Sequence, residues 1–206
     1  WLPNAYAYAP SAVTALMAAT STKVAVYVLI RFVYTILGAE FAFGELSLAA
    51  VLLGLAVIGM LTASAVAVTQ PDAKRLLAYS SVAQVGYMVL GLSLASVTGL
   101  TAALLHMMNH ALMKGALFMA LGCVAYRLGG TAVADLRGLG RRMPWTMAAF
   151  VGGGLSLIGV PLTVGFISKW YLVLAALEQG MWVLVVAVPA SSLLAIVYIW
   201  RIVETA

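Results

Sequence analysis

The chain of 206 residues is 65% hydrophobic and only 8% charged, with a mean hydropathy of +1.10. A soluble domain carries about 25% charged residues, so this composition excludes one and describes an integral membrane protein. The net charge of +5 comes from scattered basic residues and is not a nucleic-acid footprint; the single cysteine, Cys123, excludes an internal disulfide and a thiolate metal site.

In chain order, WLPNAYAYAP at 1–10 reads as an interfacial segment with a turn near Asn4. A helix is expected over 11–37, with Lys23 near its centre and Lys23, Tyr27 and Arg31 stepping by four. Residues 38–45 read as an acidic loop holding Glu40 and Glu45. The next helix, 46–69, is apolar all round apart from Thr62, Ser64 and Thr69, the pattern of a lipid-facing span. After the 70–75 loop, with Asp72 at the helix start, 73–95 places Ser80, Gln84 and Tyr87 at i, i+4 and i+7 on one face.

The fourth helix, 98–127, carries His106, Asn109, His110 and Lys114. Residues 128–142 form the longest polar loop. A fifth span is expected to be broken, 145–159 and then 166–178, because Pro161 lacks an amide proton and crowds the preceding turn, with Gly159 and Gly165 on either side. The last helix is expected over 181–201. The fold class is therefore all-α and membrane-embedded, with six transmembrane helices, one of them broken. The start at Trp1, without an initiator Met, and the stop straight after a hydrophobic span suggest a piece of a longer protein.

Lys74, Arg75, Arg127, Arg137, Arg141, Arg142 and Arg201 lie on one end of this topology. The opposite loops hold Glu40, Glu45 and Glu178 and no lysine or arginine. The excess of positive charge predicts that both termini face the cytoplasm. Lys74 and Arg75 are expected to be interfacial anchors, and Cys123 a packing residue.

Ionisable groups at bilayer depth are costly, and by default they mark a polar interior, an ion pathway or a proton relay. His106, His110 and Lys114 recur every four residues, so they share one face of their helix within about 80° and about 12 Å of axis. Lys23, Lys114 and Lys169 each lie near mid-span with no acid at the same depth in this chain. Two histidines one turn apart on one helix cannot sit on opposite faces of a single haem. No Asp, Glu or Cys is near enough in sequence to complete a metal site, so no metal or cofactor is expected. A relay through His106, His110, Lys114 and neighbouring Asn, Tyr and Ser groups fits best. The stripe is expected to face Lys23 and Gln84, away from lipid. Lys169 should lie in the first turn after the break, near the positive end of that half-helix.

Five stretches in order, WLPNAYAYAPS, STKVAVY, DAKRLLAYSSVAQVGYM, HMMNHALMKGALFM and MPWTMAAFVGGGLSLIGVPLTVGFISKW, resemble the antiporter-like membrane subunits shared by respiratory complex I and Mrp-type sodium/proton antiporters. GFISKWYLV is most similar to the Mrp D subunit. The resemblance implies a core of inverted five-helix repeats with broken helices. In that core, 11–37 would be the last helix of the first repeat and 46–201 the second repeat, all within one transmembrane domain, 1–206. It further implies that Lys23, His106, His110, Lys114 and Lys169 carry protons or cations, supported by Tyr27, Ser80, Gln84, Tyr87, Asn109 and Ser168. The first-repeat glutamate and lysine of the family have no counterpart here, which implies half of a translocation unit. The implied setting is the inner (plasma) membrane, with the lipid bilayer and other membrane subunits as partners and protons, or Na+, as cargo. An alternative from a different class stays open: a non-conducting structural anchor in which the buried polar groups only hold helices together.

Overall fold

Five helical stretches are long and apolar enough to cross a membrane: Ser11–Leu37, Leu48–Thr69, Ala73–Ser93, Val97–Leu128 and Trp182–Thr205. A sixth span is assembled from two halves, Pro144–Ile158 and Val164–Glu178. The computed structural model describes all residues 1–206 and contains no β-strand. The helices are α1 (Leu2–Tyr8), α2 (Ser11–Ala19), α3 (Ser21–Arg31), α4 (Leu48–Thr69), α5 (Ala73–Ser93), α6 (Val97–Leu128), α7 (Leu139–Arg142), α8 (Pro144–Ile158), α9 (Val164–Glu178) and α10 (Trp182–Thr205).

Helices α5 and α6 form the centre. Most of α5 is buried, and α6 touches α2, α5, α8 and α9, while α4 and α10 close the outer side. A helix surrounded by others must place its polar groups against partners, because lipid offers none. That is why Ser80, Gln84, Tyr87, His106, His110 and Lys114, all on α5 and α6, are buried together.

Several expectations are corrected. Residues 1–10 are not a bare interfacial segment: α1 packs on α5, with Leu2 and Tyr6 buried and the Tyr6 ring edge-on to Phe118 at 5.4 Å. Proline inside the first turn of α1 is tolerated because its missing donor would be unpaired there anyway. The span 11–37 is interrupted at Thr20 (φ −121°, ψ −56°), whose hydroxyl donates to the Leu16 carbonyl, and it ends in a wider π-helical turn, Phe32–Leu37. The 38–45 loop holds a second such turn, Phe41–Glu45. Helix α4 is not wholly lipid-facing. Its Leu52, Ala56, Met60, Ala63, Ser64 and Ala67 are buried, and the Ser64 hydroxyl meets Ser191 of α10 at 2.9 Å. Small residues at helical spacing let α4 and α5 approach closely, a packing mode that hydropathy cannot reveal.

The loops on the arginine-rich end are tied together. Asp72 accepts the Arg75 amide at 3.0 Å and the Thr131 hydroxyl at 2.6 Å. The amides of Ala73 and Val133 donate to the carbonyls of Thr131 and Pro71, both at 2.9 Å. Arg201 of α10 donates to the carbonyls of Val68 and Gln70 where α4 ends, at 2.8 and 3.1 Å. Cys123 is exposed on the outer face of α6 and is not a packing residue.

Candidate functional site

The site grows from α6 outward. His106, His110 and Lys114 are each completely buried. His106 Nε2 lies 2.9 Å from Gln84 Oε1 of α5, and its Nδ1 lies 2.9 Å from the Ser168 hydroxyl of α9. A neutral imidazole has one donor and one acceptor nitrogen. Protonated at Nε2, His106 donates to Gln84 and accepts from Ser168. In the other tautomer, Ser168 turns its proton to the Gly165 carbonyl, 3.1 Å away, and accepts from Nδ1, while the Gln84 amide reverses to donate to Nε2. The surroundings therefore support both tautomers, which a proton-passing imidazole needs. The His110 ring stacks on His106 at 6.2 Å between centroids and 4° between planes, and neither of its nitrogens has a protein partner.

The three mid-span lysines share one solution to burial. Lys114 donates to the Leu77 carbonyl at 2.7 Å and the Ser80 hydroxyl at 2.5 Å. Lys169 donates to the carbonyls of Leu157 and Ile158 at 3.0 and 2.8 Å and to Ser192 at 2.9 Å, and sits 4.8 Å above the Tyr87 ring. Lys23 donates to the Ala18 carbonyl, just before the interruption at Thr20. Backbone oxygens thus take the place that carboxylates fill in soluble proteins. For Lys169 these are the last carbonyls of α8, the negative end of that half-helix. This corrects the expectation that Lys169 sits at a positive helix end. Its Cα lies more than a turn into α9, and its side chain reaches back across the break.

The break makes this possible. Gly159 ends α8 with φ +88°, a conformation that favours glycine, and a Cβ there would come within 3.0 Å of the Lys169 side chain. A Cβ on Gly165 would fall 1.7 Å from the Ser156 carbonyl oxygen. Gly165→Ala is therefore expected to destabilise the subunit by about 3 kcal/mol or more. Pulse-chase recovery of the assembled subunit and its thermal melting would check this, and a variant that melts like the parent would contradict the packing described.

Of the remaining sequence candidates, Ser80, Gln84, Tyr87 and Ser168 all join the cluster. Tyr27 does not: it is exposed on α3, with its hydroxyl 3.4 Å from Arg31. Asn109 is one helical position off the histidine face, half-buried, and donates to the Val164 carbonyl at the start of α9 at 2.7 Å. Lys74 and Arg75 are more than anchors, since Lys74 donates to the Ala9 carbonyl at the end of α1 and Arg75 meets Tyr8. Sequence reasoning missed Ser192, although a serine pair two and three residues after Pro189 in an apolar span was a visible signal.

Residues 1–195 match the family described as NADH:quinone oxidoreductase/Mrp antiporter, transmembrane. The chain is 50% identical over its whole length to an NADH-quinone oxidoreductase subunit N of Desulforudis audaxviator, covering 41% of that protein. It is 31% identical over 97% of its length to subunit M of Rhodobacter capsulatus, covering 38% of it. Among solved structures, it superposes on a chain of the archaeal membrane-bound sulfane sulfur reductase with a TM-score of 0.92 at 38% identity, and on a chain of the Mrp complex from Dietzia sp. DQ12-45-1b with 0.92 at 31%. It covers 42% and 38% of those chains. The chain therefore spans about two fifths of the proteins it matches.

Proposed function

The chain belongs to the NADH:quinone oxidoreductase/Mrp antiporter transmembrane family, and on that premise we propose that it conducts protons along a buried line from Lys23 through Lys114, His110 and His106 to Lys169. The observation that carries the reading is the spread of five buried, carboxylate-free basic groups over three helices, α3, α6 and α9, with His106 bonded on both nitrogens. Helix glue requires only local pairs. Here His110 lies between bonded neighbours with both nitrogens free of protein partners, as expected of a group that exchanges protons with ordered water.

In the parent complex, partner membrane subunits would supply the driving force, either electron transfer or exchange against Na+. The site lies in the inner (plasma) membrane, with both ends of this chain cytoplasmic. In the full-length subunit, assembled and reconstituted in vesicles, Lys23→Met is expected to slow coupled proton transport about tenfold or more. Assembly with an unchanged rate would refute conduction through this line. For orientation, cysteines replacing the exposed Glu45 and Arg137 in a Cys123→Ser background should react with an impermeant maleimide from opposite sides, Arg137→Cys from the cytoplasm. Labelling from the same side would overturn the topology.

A further inference from the structure

Tyr198 of α10 is completely buried, and its hydroxyl has no hydrogen-bond partner. An unpaired buried hydroxyl destabilises a protein relative to phenylalanine at the same place, so its presence calls for a use. The pairings along the α5–α10 seam put it at the level of Ser80, the hydroxyl that accepts from Lys114. Helices α5 and α10 run antiparallel along this seam. Arg201 reaches the loop before α5, and about four turns into α5 the Tyr87 hydroxyl reaches the Val188 carbonyl of α10 at 3.3 Å. Tyr87 also lies 3.4 Å from Ser192, which accepts from Lys169 at 2.9 Å. Ser80 and Tyr87 are seven residues apart on α5, so they share a helix face.

We propose that the α5–α10 seam is a second proton path from Lys114 to Lys169, lined by the hydroxyls of Ser80, Tyr198, Tyr87 and Ser192, parallel to the histidine path and positioned at its centre by Tyr198. The inference rests on the conduction reading above. In this path the Ser80 hydroxyl turns from the Leu77 carbonyl, to which it donates at 2.9 Å, towards the phenol oxygen. A proton from the Lys114 ammonium then enters at Ser80 as the Ser80 proton moves to Tyr198. The Tyr198 O–H proton leaves through water towards Tyr87 and Ser192, where neutral Lys169 accepts it. Every oxygen ends with the number of protons it began with, and one proton has passed from one lysine to the other.

Two paths in parallel make a specific double-variant prediction. In the reconstituted full-length complex, Tyr198→Phe and His110→Ala should each remove about half of the proton flux, and together they should lower it about tenfold or more. A double variant no slower than His110→Ala alone overturns the proposal, and so does a His110→Ala variant that is already inactive. To separate proton transfer from packing, tyrosines carrying one, two or three ring fluorines are placed at 198 in the His110→Ala background. The rate should follow phenol acidity across that series, and a flat series overturns the proposal even if Tyr198→Phe fails to assemble. Lys169→Met serves as the reference. Full transport by that variant removes the conduction reading itself, whereas loss of transport by Lys169→Met with a double variant no slower than His110→Ala alone removes only the second path.

Discussion

Replacing Lys169 by Met in the full-length subunit is expected to reduce coupled proton transport about tenfold or more while the complex still assembles. The ammonium is held by two carbonyls at the end of α8 and by Ser192, and it is the one basic group that reaches across the helix break. Methionine fills a similar volume but can neither accept nor release a proton. The abandoned carbonyls lie beside the break, whose Pro161 and Leu162 are exposed, and assembly is expected to survive. Lys169→Glu should retain part of the rate. A carboxylate facing the Leu157 and Ile158 oxygens is repelled unless it carries a proton, and in its protonated form it can donate to one of them. Dye-reported acidification of vesicles, beside a native gel of the complex, measures both variants. An assembled Lys169→Met complex working at full rate would sink the assignment.

The second large effect separates conduction from helix glue. Lys114 is buried completely, bonded to Leu77 and Ser80, and 5.9 Å from the Phe118 ring centroid. Replacing a buried ion pair by well-packed apolar residues is often neutral, or stabilising by about 1–4 kcal/mol, and Lys114 is bonded to neutral oxygens, so its removal strands no opposite charge. If Lys114 conducts, Lys114→Met gives a subunit as stable as the parent or more so, with transport lowered about tenfold or more. If Lys114 only joins α5 to α6, the same variant melts lower and transport falls only as far as the assembled fraction falls. Thermal melting of the purified complex and transport per assembled complex together decide between them.

The number of long helices and the histidine stripe follow from residue order alone. Hydropathy over about twenty residues is a local property, and so is the four-residue step that puts His106, His110 and Lys114 on one helix face. Pro161 between Gly159 and Gly165 likewise announces the broken span, because proline removes a donor wherever it sits. The partners of those groups are another matter. That Tyr27 points outward, although it follows Lys23 at the same four-residue step, depends on which side of α3 packs against α5. The interruption at Thr20 carries no proline or glycine, so nothing local marks it. The oxygens around Lys169 come from residues 157, 158 and 192, and only the docking of α8 and α10 brings them to one ammonium. Sequence by itself thus determined the spans and the face on which the basic groups lie. The tertiary structure decided which carbonyls and hydroxyls receive their protons, because inside a membrane a buried cation must find its oxygens on whichever helices pack around it.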